Sequence, residues 1–180
     1  GQNVLNALNE CELDFETVFE VIEQKWNSRD RHVKHMVIVA VPILARFFLT
    51  TIADSHTALS NQYRSSIAGG SNRASMAIGG GGISRTSPVA ITLMEFTRSH
   101  LIPKTNSKSE GGTAYLSIGQ LIISLSRYIS KADGLVVDVM EVIREGLVKP
   151  ETAKEALFCL SLVLRNNDYA FKHVTPSFVD

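Results

Sequence analysis

Apolar residues recur along this chain at the spacing of one helix face, and that period constrains the fold more than any other feature of the sequence. Phe15, Val18, Phe19, Ile22 and Trp26 fall on a single stripe, with Glu16, Glu20 and Glu23 on the opposite side. Asp14 stands where a carboxylate accepts from the free amides of a first helical turn. Val4, Leu5 and Leu8 predict a short helix ahead of it. The spacing returns in Val89, Leu93, Phe96 and Leu101, again from Leu116 to Ile129, and again in Val136, Val139, Met140 and Ile143. A last stripe runs through Ala153, Ala156, Leu157, Leu160 and Leu164. Alternating runs closed by tight hairpin dipeptides, the mark of strands, do not occur. The expectation is an all-α protein, a multi-helix bundle or short helical stack.

Capping and breaking residues divide these stripes. Ser28 or Asp30 caps a long helix expected to reach about Gln62, and Pro42 is expected to kink it near Ile38, whose carbonyl loses its amide partner. From Ser60 to Ser87 the chain holds six glycines among small polar residues, and no acid occurs between Asp54 and Glu95. Ordering such a stretch is entropically costly with few large apolar groups to offset it, so a long flexible Gly/Ser-rich loop is expected at 61–87. Ser87-Pro88 restarts a helix that Pro103 should stop. A polar loop then leads to a helix over Tyr115 to Ser130, and Asp133-Gly134 separates it from Leu135 to Glu145, with Gly146 suited to a left-handed C-terminal cap. Pro150 opens the last helix, with Glu151 in its first turn, Arg165 in its last, and Asn166 closing it. The organisation expected is one helical domain over 1–180: N-terminal helices at 1–60, the loop, C-terminal helices at 88–167 and a tail at 168–180. The opening Gly1 and the closing Val179-Asp180 read as the ends of a fragment of a longer protein.

Composition narrows the classes of function. At 44 % hydrophobic and 20 % charged residues, the 180-residue chain has enough apolar material for a core without staples. Cys11 and Cys159 lie far apart within apolar segments and read as free thiols, which places the chain inside the cell, in the cytoplasm. A formal net charge of zero disfavours a strong nucleic-acid binder. The distribution is uneven, because every charge up to Gln24 is acidic and Lys25, Arg29, Arg31 and Lys34 then follow against Asp30 alone. Met36 to Ala53 approaches the length of a membrane span, but Arg46 would lie inside the bilayer and Pro42 interrupts the ladder. A central core helix accounts for the same stretch.

The segment GLVKPETAKEALFCLSLVLRNN resembles the final helix of an armadillo repeat, through the small Ala153 and Ala156, the Leu157-Phe158 pair, a Leu-Ser step and the closing Asn. The preceding LVVDVMEVIREG is similar to the helix such a repeat places before it, and armadillo-type nucleotide-exchange factors of heat-shock chaperones carry comparable helices. The likeness spans residues 133–167, about one repeat, and DRHVKHMVIVAVPILARFF resembles a HEAT-repeat helix. It implies an armadillo/HEAT-like helical stack and no particular chemistry.

No catalytic, cofactor-binding or metal site is expected. His32-x-x-His35 supplies two imidazoles on one helical face, without the further ligands a stable site needs. The glycine runs lack the GK[ST] and preceding strand of a phosphate loop, and no nucleophile elbow occurs. Arginine shortly before serine in a flexible segment suits kinases, which makes Ser66, Ser75 and Ser87 phosphorylation candidates. The function expected is a non-enzymatic helical scaffold or interaction module whose partner is another protein, presenting an apolar groove or exposed helix face. The first alternative is a viral coat or nucleocapsid-type RNA-binding protein using Lys25, Arg29, Arg31, Lys34, Arg64, Arg73 and Arg85. The second is a membrane-associated helical protein.

Overall fold

The computed structural model describes residues 14–67, 87–129 and 134–167, together with 170, 172 and 174, and of residues 51–67 the backbone alone. Over these residues the protein is all-α. Helix α1 (Phe15–Trp26) and α2 (Arg31–Ile67) form a first hairpin across residues 27–30. In the second hairpin, α3 (Pro88–Phe96), a π turn (Thr97–Leu101) and the short α4 (Ile102–Lys104) return through residues 105–110 into α5 (Gly111–Leu125). Helices α6 (Leu135–Leu147) and α7 (Ala153–Asn166) make the third.

The expected caps form. Asp14 accepts from the Thr17 amide at 2.7 Å and Asp30 from that of His32 at 2.8 Å. Ser87 accepts from Ala90 at 3.4 Å, with Pro88 in the first turn where its missing N–H costs nothing.

Helix α5 lies between α2 and α7, and all three run in the same direction. Ser117 meets Ile38, and farther along both helices Gln120 to Tyr128 face Pro42 to Thr50. On the other side Gly112 meets Glu155, and Gly119 meets Cys159 and Leu162. The antiparallel partners α1, α3 and α6 pack behind this layer. Phe15 and Phe19 stack on each other, Phe15 meets Phe48 edge-on, and Phe19 and Trp26 both meet Phe96. Leu121, Ile122, Leu125, Leu135 and Ile143 are fully buried at the centre.

Helix α2 runs unbroken through Pro42. Proline at this position deprives the Ile38 carbonyl, four residues back, of its amide donor. The Ser117 hydroxyl of α5 supplies the replacement, donating to that carbonyl at 2.8 Å in a buried setting. The carbonyl that Pro42 strands is therefore satisfied from outside the helix.

Other boundaries move. Backbone helix continues to Ile67, seven residues into the expected loop, while 68–86, Cys11 and the short helix expected at Val4 to Leu8 lie outside the described residues. Pro103 does not stop its helix, since the Ile102 amide donates to Thr97 five residues back and one more turn follows. Helix α5 ends at Leu125, not Ser130, and α7 starts at Ala153, with Glu155 rather than Glu151 in its first turn. Gly146 is no left-handed cap. It lies within α6, where a Cβ would collide with the Tyr115 ring and hydroxyl, whereas Gly134, at φ +70°, is the left-handed residue that leads into α6. Of the tail, Ala170 is buried in the core.

The stripe on α7 is rotated from its expected position. Ala156, Cys159 and Val163 are buried, whereas Leu157 is 59 % and Phe158 49 % exposed. Opposite Gly119 the Cys159 backbone and the Leu162 side chain come into close contact with α5, and the small Ala156 and Cys159 are the residues buried along this line.

Candidate functional site

The α2–α5–α7 layer is close-packed on one side of α5 and open on the other. Between α2 and α5 lies a groove of about 660 Å³, open to solvent and closed at one end by Asn166 of α7. Pro42, Leu49, Ile123 and Tyr128 give it apolar walls. Arg46 comes from α2 and Arg127 from the turn just after α5, and both are exposed. No carboxylate lines the groove among the described residues.

Its serine and threonine hydroxyls are already committed as donors. Thr50 donates to the Arg46 carbonyl at 2.6 Å, Ser126 to Ile123 at 2.8 Å and Ser124 to Gln120 at 3.4 Å. Asn166 donates one of its two amide hydrogens to the Leu162 carbonyl at 2.7 Å. Thr50, Ser124 and Ser126 therefore offer lone pairs to the groove, while Arg46, Arg127, the Gln120 amide and the second Asn166 N–H offer donors. Helix α2 runs on past the level of Leu125, so its backbone extends the wall beyond the end of α5.

The hairpin turns line up along one edge of the molecule. Arg31 donates to Ser109 at 2.7 Å, tying the first turn to the second, and Lys149 donates to Asn106 at 2.7 Å, tying the second to the third. Lys104 pairs with the buried Glu110 at 2.6 Å and lies 5.7 Å from the centre of the Trp26 ring. The other Glu110 oxygen, Oε1, is buried without a protein partner among the described residues. On the far side Arg98 bonds Asp138 at 3.0 Å, joining the π turn to α6.

Burial favours the neutral forms of Cys159, Tyr115 and His100. Burial pushes the Cys159 thiol up to about 12 and raises the Tyr115 phenol, which donates to the Val142 carbonyl at 2.8 Å. His100, packed against Trp26 and Phe96, is lowered by burial, with an opposing pull from Glu23. Exposed Asp14 is lowered by the hydrogen bond it accepts from the Thr17 amide.

Of the residues singled out from sequence, Lys25, Arg29, Arg31 and Lys34 cluster around the first hairpin turn. Arg64 and Ser66 fall on α2 beyond the described side chains, and Arg73, Arg85 and Ser75 lie outside the described residues. Ser87 is buried as the cap of α3. His32 and His35 are exposed, and no group of three or more His, Cys, Asp or Glu that could hold a metal occurs among the described residues. Arg31–Thr50 is long and apolar enough to cross a membrane, at mean hydropathy 1.7, with 39 % of its most apolar window buried here.

The groove residues were not among those candidates. Their signal in the sequence is a lone cation on an otherwise apolar helix: Arg46 within Met36 to Ala53, and Arg127 after Leu125. No known protein family, curated protein or solved structure matches this chain.

Proposed function

We propose that the chain is a non-enzymatic helical interaction module that holds an extended segment of a partner protein in the α2/α5 groove. The observation that carries the reading is the groove itself, an open channel with apolar walls and hydrogen-bonding groups, set on parallel helices rather than on loops. Three hairpins whose inner helices share one direction also fit an armadillo/HEAT-like stack. The facing residues Gly119 and Cys159 are roughly 40 positions apart, within the period of such repeats. Peptide display against the chain tests the reading: linear peptides should be enriched, and Gln120→Trp, which fills the groove, should abolish their binding. No enrichment, or binding indifferent to Gln120→Trp, overturns it.

A second reading, RNA binding, is favoured by the basic edge. The Arg31–Ser109 bond brings the turn that carries Lys25, Arg29 and Lys34 beside the turn that carries Lys108. It requires binding of single-stranded RNA that weakens steeply with salt and is reduced by Arg29→Glu and Lys108→Glu.

A further inference from the structure

We infer that the groove between α2 and α5 takes an acidic segment of a partner polypeptide, with carboxylates on Arg46 and Arg127 and main-chain N–H groups on the hydroxyl and amide oxygens between them; this rests on the interaction-module reading above. The span sets the length. Pro42 to Thr50 covers about 12 Å of helix at ~1.5 Å per residue, the reach of three or four extended residues at ~3.3 Å each.

Charge sets the sign. Two guanidiniums face the groove without a carboxylate among its described lining, and neither is held in an ion pair among the described residues. Arg127 stands just past the C-terminus of α5, whose partial charge of about −0.5 offsets only part of its own. Guanidinium forks bind carboxylates through paired N–H groups, which gives orientation as well as attraction.

The acceptors set the class of ligand. Thr50, Ser124 and Ser126 have committed their hydroxyl hydrogens to helix carbonyls, so what they present to the groove is lone pairs. A phosphate chain has no N–H to offer them. An extended peptide presents N–H groups along its length, and the Gln120 amide is placed to take one of its carbonyls. Pro42, Leu49, Ile123 and Tyr128 add an apolar surface that suits an aliphatic side chain between the acids.

The test uses the full 180-residue chain and fluorescence polarisation with a labelled ten-residue Glu/Leu peptide. The Glu/Leu peptide should bind at least tenfold more tightly than its Gln/Leu counterpart. Arg46→Glu and Arg127→Glu should each weaken binding at least tenfold while the circular dichroism spectrum stays unchanged. Arg29→Glu, on the basic edge, should leave binding as it is. Equal binding of the two peptides, or binding that survives both groove substitutions, overturns the inference. Displacement of the peptide by free glutamate at matching concentration overturns it too, by reducing the groove to a small-anion site. If the Gln/Leu peptide binds as well and Gln120→Trp still abolishes it, only the acidic preference fails and the interaction module stands. If no peptide responds to Gln120→Trp, the module reading itself fails.

Discussion

Helix α5 makes two different seams with its parallel neighbours. Toward α7 it presents Gly112 and Gly119, and the backbones close until a Cβ at Gly119 would lie 2.9 Å from Leu162 and 3.3 Å from the Cys159 backbone. Toward α2 it presents Ser117, whose hydroxyl serves a carbonyl stranded by Pro42, and beyond that point the helices leave a groove between them. The first seam is held by small residues in dense contact, where any added atom is felt. The second combines buried apolar residues of both helices, among them Ile38, Val41 and Leu121, with one repairing hydrogen bond, and opens to solvent farther along. A helix that packed as closely on both sides would stabilise the stack and leave no groove.

This contrast can be broken in order of expected effect. Leu121→Ala, at a fully buried site on α5, should cost about 2–5 kcal/mol in chemical denaturation, through lost burial and the cavity left behind. Gly119→Leu should cost about 3 kcal/mol, because the α7 backbone must retreat. A loss below about 1 kcal/mol would show that the α5/α7 seam is looser than its geometry implies.

On the open seam, Ser117→Ala should cost about 1–3 kcal/mol by leaving a buried carbonyl without a donor. Pro42→Ala restores the amide that the carbonyl lacks, so Ser117→Ala should cost clearly less in that background. A double-mutant cycle without coupling would break the explanation of how α2 passes through its proline.

The contact of the π turn with α1, away from both seams, should respond to acid. His100 lies where the first hairpin meets the second, and its folded pKa is lowered, so the unfolded chain binds the proton more readily. The stability from keeping it neutral is complete above its ordinary value of 6.5 and is lost as pH falls through the lowered one. Tm should therefore drop with acidification below pH 6.5, and His100→Phe should flatten that slope. The smallest effect is expected at Leu157→Ala on the exposed face of α7, within about 0.5 kcal/mol. A loss as large as that of Leu121→Ala would place Leu157 in a core and undo the assignment of the seam.

Much of the fold could be read before the structure. Asp14, Asp30 and Ser87 announce helix starts through local chemistry, and the stripe on α1 buries as its spacing requires. The failures share one cause. Whether Gly146 is a cap or a gap under Tyr115, and whether Leu157 or Cys159 faces inward, depends on what stands opposite. The groove shows the same limit, because Arg46 and Arg127 are 81 positions apart in the numbering and only packing makes them neighbours.

The sequence by itself determined the helical class, the starts of α1, α2, α3 and α6 and the apolar stretch that became the spine of the molecule. These follow from periods and caps that act within about a turn of chain. Tertiary structure decided which side of each helix is inside and how the Pro42 defect is mended. It also decided where two arginines share a groove, because steric fit and hydrogen-bond satisfaction between distant segments are set only when those segments meet.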